Sequence, residues 1–208
     1  MFSRQAHLDL FAGYELPVVN VTAECICSDF VTLAKDRGVP PFALLLYGIA
    51  KASMEVENFR YRLLDGRVQR LERLTVSYTV VGAGENLNFS TFVFDMEWPV
   101  FLSRYLADRE EARAARTLRL APMDHRDYLF VTCLPWRRFT SIQHPVARLA
   151  DASIPNVAVG RFNAAAGQVT FPLSVQAHHG LVDGWHIHRL ISRIEGVVAE
   201  LAQEVSRG

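Results

Sequence analysis

The segment from Gln168 to Val205 constrains the fold more than any other. A strand-like run, Gln168 to Gln176, enters Ala-His-His-Gly-Leu-Val-Asp-Gly-Trp-His at Ala177 to His186 without a linker, and an amphipathic helical pattern follows from Ile187 to Val205. A side-chain period of two gives way to one of 3.6 within a few residues, so a strand must end, turn and start a helix there. Imidazoles, a carboxylate and glycines therefore collect at one strand end. His179 and Asp183 stand as His-x-x-x-Asp, and Gly184 after the carboxylate permits a sharp turn that a Cβ would resist. With an ordinary pKa near ~6.5, a histidine is largely neutral at neutral pH, which makes His179 the candidate general base. The simpler reading is that His178, His179, His186 and His188 cluster on a satisfied loop and helix start.

The rest of the chain alternates strands and helices. Leu16 to Ile26 reads as a strand, and Ser28 as the cap of a short helix through Lys35 that stops at Gly38. Pro40 and Pro41 suit a helix start, and Phe42 to Val56 is apolar enough for a largely buried helix. Arg60 to Leu64 and Val68 to Leu71 flank Asp65-Gly66, a hairpin dipeptide, and Leu74 to Val81 alternates again, which together suggest an antiparallel meander. Pro99 to Leu118 has mixed charges at helical spacing; Tyr128 to Leu134 and Asn156 to Phe162 read as strands. Strands outnumber helices and pair partly with sequence neighbours, so the expected fold is an α/β (α+β) two-layer sandwich with a mixed, mostly antiparallel sheet covered by helices. Neither common glycine-rich phosphate loop is present.

Composition narrows the function classes. The 208 residues are 50% apolar, enough for one domain, 1–208, with a sizeable core of its own. Lys plus Arg and Asp plus Glu number 22 each, so no net field favours nucleic acid. Leader-peptide patterning is absent and no apolar run approaches the ~18 residues of a bilayer span, so a cytoplasmic protein without membrane attachment is expected. Cys25, Cys27 and Cys133 are odd in number, and Cys-x-Cys places the first two on one strand face, which favours buried reduced thiols over a disulfide or zinc site. A zinc module built from the four histidines lacks a Cys or Glu at ligand spacing, and His186 and His188 would point apart on a helix.

The stretch Pro172-Leu-Ser-Val-Gln-Ala-His-His-Gly-Leu-Val-Asp-Gly-Trp-His186 resembles the active-site signature of the chloramphenicol acetyltransferase family. Phe59-Arg60 with Asp65-Gly66, Ser77-Tyr-Thr-Val80, Phe89-Ser90, and Phe130-Val-Thr-Cys-Leu-Pro-Trp136 with Phe139-Thr-Ser141 follow in family order, so the resemblance spans nearly the whole chain. His-x-x-x-Asp-Gly alone is shared by wider coenzyme A-dependent acyltransferases, including the dihydrolipoyl type; Pro-Trp-x-x-Phe-Thr-Ser narrows the match.

The resemblance implies a chloramphenicol O-acetyltransferase that uses acetyl-coenzyme A as co-substrate, with no resident cofactor or metal. His179 would deprotonate the acceptor hydroxyl, which attacks the thioester directly without an acyl-enzyme. Asp183 matches a carboxylate that holds the active-site loop through a salt bridge to an arginine near the N-terminus, here Arg4 within Phe2-Ser3-Arg4 and His7. Thr132 stands where the family has a serine donating to the tetrahedral oxyanion. Phe11 and Phe89 match aromatic residues of the acceptor pocket, whereas His144 stands where a leucine is expected and Ala158 replaces a threonine that holds a water. The chain begins three residues before Arg4, a shorter start than usual, so a reduced first strand is expected. A homotrimer is implied, with active sites between subunits, His179 on one face and Thr132 with the pocket aromatics on the other. Two alternatives stay open: the same fold acting on another acceptor or acyl-coenzyme A, and a non-enzymatic binding protein.

Overall fold

The computed structural model describes residues 2–82, 86–120, 126–146 and 152–207, with side chains of the last helix described through Glu204. Its longest pairing joins the two ends of the chain. β1 (Val18–Ser28) and β9 (Gln168–His178) are antiparallel over all 11 residues, from Val18 opposite His178 to Ser28 opposite Gln168. Against the other side of β9 lie β7 (Asn156–Val159) and the short β8 (Asn163–Ala165). β6 (Tyr128–Cys133), β4 (Thr75–Val81) and β5 (Leu87–Val93) complete the sheet, in the order β1-β9-β7-β6-β4-β5. Among the described residues only the β4–β6 and β6–β7 pairs are parallel. The expected mixed, mostly antiparallel sheet is what forms.

One face of the sheet carries the core. Along β9, Val169, Phe171, Leu173, Val175 and Ala177 are buried on the helix side, the alternation a pleated strand imposes. They belong to one apolar cluster with α3 (Pro41–Glu55), α4 (Trp98–Ala114) and α5 (Gly184–Arg207), of which α4 lies along β4 and β5 and α5 along β1. Pro41 opens α3, where its missing N–H costs nothing. Gly48 lets α5 close on α3, since a Cβ there would lie 2.8 Å from Val198 Cγ2. Cys25 and Cys27 share the buried face of β1, their sulfurs 3.9 Å apart and unbridged. The opposite face of the sheet presents Thr79, Phe89, Thr132, Ala158 and Ser174.

Several local expectations are corrected. Asp29, not Ser28, caps α2 (Phe30–Asp36), accepting from the Thr32 backbone N–H at 3.0 Å. The turn at Asp65-Gly66 has φ of +50° and +72°, the pattern of a two-residue hairpin, but β2 (Tyr61–Leu64) and β3 (Arg67–Arg70) form a separate ribbon rather than a meander with β4. Arg62 ties that ribbon down: its guanidinium is buried and donates to the carbonyls of Phe59, Tyr61, Arg126 and Tyr128. The strand expected to reach Phe162 ends at Val159: Gly160 still donates to the Pro172 carbonyl at 2.9 Å, but Pro172 has no N–H to return the bond, and a Cβ at Gly160 would lie 2.4 Å from Pro172 Cγ. No N-terminal strand precedes β1 among the described residues; α1 (Gln5–Phe11) takes that place. No described helix is long and apolar enough to cross a membrane.

Candidate active site

The end of β9 is fixed before it turns. His178 lies opposite Val18 in the ladder, and the His179 N–H donates to the Pro17 carbonyl at 2.8 Å. The carbonyl of His178 then accepts from both Leu181 and Val182, closing a compact turn, and Asn58 Nδ2 donates to the Leu181 carbonyl at 2.9 Å. Gly180 is the crowded position: a Cβ would sit 2.9 Å from Leu8 Cα and 3.1 Å from His178 Cε1. Gly184 is not. It starts α5 with open space around it and no left-handed φ, so the sharp turn expected there falls at Gly180 instead.

The two adjacent imidazoles have different surroundings. His178 is buried, its Nδ1 accepts from the Gly180 N–H at 3.1 Å, and burial, with a smaller push from His179, lowers its pKa to about 4. His179 is half-buried and its ring stacks on Phe11, centroids 4.2 Å apart at 14°. His179 Nδ1 faces the Val182 carbonyl at 3.2 Å. A carbonyl only accepts, so Nδ1 carries the hydrogen of that bond and Nε2 holds the lone pair.

Asp183 is the N-cap of α5. Its Oδ1 accepts from the Trp185 and His186 backbone N–H groups at 3.0 and 3.3 Å, and its carbonyl takes the first helical bond from Ile187. Oδ2 receives Arg4 Nη1 at 2.8 Å, whereas Arg4 Nε and Nη2 are buried without partners among the described residues. His186 Nδ1 lies 2.6 Å from Oδ1, a contact that the sequence reading did not foresee. Burial opposes ionisation of Asp183, but bonds from the His186 backbone and ring, with the charge of Arg4, prevail and hold the carboxyl below its ordinary range.

Of the remaining expected residues, Phe11 alone joins this turn. Thr132 pairs with Ala158, which pairs with Ser174, and Thr79 beside Thr132 pairs with Phe89, so Phe89, Thr132 and Ala158 occupy one row across the open face. Thr132 and Phe89 are half-exposed, whereas Ala158 is fully buried and offers no surface. Five residues of chain and two strand spacings separate Thr132 from His179, roughly 15–20 Å. Phe11 stands with His179 and not with the Thr132 row, because α1 folds over the end of β9; its expected grouping is corrected accordingly. His144 is clamped by Gln176, whose side chain accepts from the His144 N–H at 3.0 Å and donates to its carbonyl at 3.1 Å. Its Nε2 is buried without a partner among the described residues, and burial lowers its pKa.

A groove that sequence reasoning missed opens at the ends of β6 and β7. Trp136, Arg137, Arg138, Arg161 and Phe162 line a cavity of about 650 Å³, and of the three arginines only Arg138 has a carboxylate partner among the described residues, Glu24. The Arg137-Arg138 pair was the available signal. The four histidines of the turn and helix diverge: His188 packs on exposed Trp185, and no three metal-ligating side chains converge among the described residues.

Known proteins place this geometry. A structure described as chloramphenicol acetyltransferase superposes with a TM-score of 0.83 at 20% identity, over 95% of this chain and 96% of the other. A probable dihydrolipoamide acetyltransferase from Listeria monocytogenes gives 0.68 at 16% identity, over 96% and 91%. In sequence, chloramphenicol acetyltransferase 3 of Escherichia coli is 26% identical over 172 residues, 80% of either chain. The chloramphenicol acetyltransferase family profile matches residues 1–195, which take in the paired chain ends, the open-face row and the whole His179–Asp183 turn, and the chain therefore belongs to the chloramphenicol acetyltransferase family.

Proposed function

We propose that the chain is an O-acetyltransferase that moves acetyl from acetyl-coenzyme A to a hydroxyl of chloramphenicol or a related small molecule. The observation that carries this reading is the contact of His179 Nδ1 with the Val182 carbonyl at 3.2 Å: a carbonyl only accepts, so in the neutral ring Nδ1–H is spent there and the Nε2 lone pair is left for an acceptor hydroxyl. Nε2 takes the hydroxyl proton as the oxygen attacks the thioester carbonyl. Collapse of the tetrahedral intermediate breaks the C–S bond, and the imidazolium returns its proton to the departing thiolate. Thr132 Oγ1 donates to the oxyanion, the role for which a hydroxyl is suited. Asp183 and Arg4 hold the turn and transfer no proton.

The distance between Thr132 and His179 within one chain supports an active site shared between copies. In this reading the protein is a cytoplasmic homotrimer in which His179 of one copy meets the Thr132 row of the next, and holding both substrates together supplies the proximity. The groove at Trp136, Arg137, Arg138 and Arg161 offers planar, always-charged donors for the phosphates of coenzyme A. A second reading, acetyl transfer to a different acceptor, is favoured by His144, a polar side chain where the family resemblance expects a leucine, with its Nε2 buried and unpartnered among the described residues.

Thiol release from acetyl-coenzyme A, measured with chloramphenicol and a panel of hydroxylated antibiotics and alcohols, is the test. Release that needs a hydroxyl acceptor and disappears in His179→Ala supports the proposal. Release only with acceptors other than chloramphenicol selects the second reading, and none with any acceptor ends both.

A further inference from the structure

We infer that His186 is a positioning residue that locks the peptide unit presenting the Val182 carbonyl to His179 and so fixes the tautomer of the base. The inference rests on the reading of His179 as that base. Asp183, Gly184, Trp185 and His186 occupy the N-cap and first three positions of α5, where a capping box places Glu or Gln in the last position to accept the N-cap N–H. His186 departs from that arrangement. Its Nδ1 lies 3.3 Å from the Asp183 nitrogen but 2.6 Å from Asp183 Oδ1, and one ring nitrogen cannot accept from the first and donate to the second at once. The shorter contact identifies the bond: Nδ1–H donates to the carboxylate. Oδ1 then holds three donors, the Trp185 and His186 N–H groups and the imidazole, and Oδ2 is left to Arg4.

The consequence reaches His179 through a single rigid unit. The carbonyl of Val182 and the N–H of Asp183 belong to the same planar peptide, with His179 Nδ1 at the oxygen end and His186 Nδ1 against the nitrogen end. Because the unit is planar, tilting its nitrogen end swings the carbonyl away from His179 Nδ1. The ring of His186, held by the carboxylate, blocks that tilt. Arg4 does not, because it bonds Oδ2 of the carboxylate and not the peptide unit that joins Val182 to Asp183.

The test uses the full-length protein, its histidines labelled with ¹⁵N, as wild type, His186→Ala and His186→Gln. Two-bond proton–nitrogen correlation spectra report which nitrogen of His179 is protonated, independently of turnover. The wild type should show Nδ1–H at His179, and His186→Ala a mixture of tautomers. In thiol release, kcat of His186→Ala should fall on the order of 10- to 100-fold, as expected for a misplaced catalytic group, with little change in KM for acetyl-coenzyme A. His186→Gln, with an amide able to bond either end of the N-cap, should keep the tautomer and most of kcat. A His186→Ala protein with the Nδ1–H tautomer intact overturns the inference, whether or not its rate falls. Should His186→Ala not fold, His186→Gln decides: loss of the tautomer there also overturns it. If the wild type releases no thiol with any acceptor, the acetyltransferase reading fails while the tautomer readout still decides the role of His186.

Discussion

Replacing Asp183 by Asn separates the charge of this residue from its capping role. Asn caps helices about as well as Asp, so the bonds from the Trp185 and His186 N–H groups survive, and what disappears is the ion pair with Arg4. Breaking a fully buried pair commonly costs ~3–5 kcal/mol because one charge is stranded. Here the side chains are 12% and 30% exposed, so solvent screening reduces the cost to about 2–3 kcal/mol. Arg4 has no alternative among the described residues, since its Nε and Nη2 are already buried without partners. At ~2–4 °C per kcal/mol for a chain of this size, Tm should fall by about 5–10 °C in thermal melts at one protein concentration, and Asp183→Ala should add about 1 kcal/mol for the lost cap. The pH dependence has a definite sign. The Asp183 carboxyl is held below its ordinary range, so its contribution is complete above the unfolded pKa of ~3.9 and is lost as pH falls through the folded value. The gap in Tm between wild type and Asp183→Asn should therefore be full at about pH 7 to 8, grow slightly as His186, whose proton Asp183 helps to hold, titrates, and close below about pH 4 as Asp183 itself is protonated. An Asp183→Asn protein melting within a degree of wild type at neutral pH, or a gap that persists once the carboxyl is protonated, would refute the ion-pair argument.

His179→Ala should lose on the order of 10²–10⁴ in kcat in thiol release while acetyl-coenzyme A binding, followed by calorimetry, stays near wild type, because the lost group moves a proton and does not hold the nucleotide. Thr132→Ala should lower kcat by roughly 10²–10³ with KM less affected, whereas Thr132→Ser keeps the hydroxyl and should retain most of the rate. The two glycines of the turn should respond oppositely in melts. Gly180→Ala drives a Cβ against Leu8 and His178 and should cost about 1–3 kcal/mol, whereas Gly184→Ala enters open space at a helix start and should be neutral or stabilising by up to about 1 kcal/mol.

What the sequence made legible was local. Asp65-Gly66 marked a turn because both positions need φ above zero and few residues accept it, and Pro40-Pro41 marked a helix start because ring geometry dictates it. The destination of the hairpin was not legible: β2 and β3 stand apart because Arg62 finds its acceptors in carbonyls as distant as Arg126 and Tyr128, a tertiary fact with no local signal. At the turn, the charged pair of Arg4 and Asp183 was foreseen from a family resemblance, whereas crowding at Gly180 depends on where α1 lies and could not be read from the glycine spacing. His186 was within reach, since an N-cap followed three residues later by a hydrogen-bonding side chain is a recognised pattern, but histidine is not the residue that pattern names. Phe11 was selected for its aromatic character, and only the course of α1 shows that it lies against His179.

The separation of His179 from Thr132 leads to a quantitative expectation for mixed assemblies. If every active site were contained in one chain, a His179→Ala subunit and a Thr132→Ala subunit would each be defective in any company. If each site instead takes His179 from one copy and Thr132 from the next, a junction where a Thr132→Ala chain supplies the histidine and a His179→Ala chain supplies the threonine is intact. In randomly assembled cyclic trimers from an equal mixture, either condition holds half the time, so about a quarter of the sites are restored. The two variants are unfolded together, refolded and assayed for thiol release against each refolded alone. Recovery near a quarter of the wild-type rate requires a shared site, whereas a mixture no more active than the mean of the two variants places the whole site within one chain and removes the reason for assigning Thr132 to it, since the register of β6, β7 and β9 keeps that hydroxyl roughly 15–20 Å from His179.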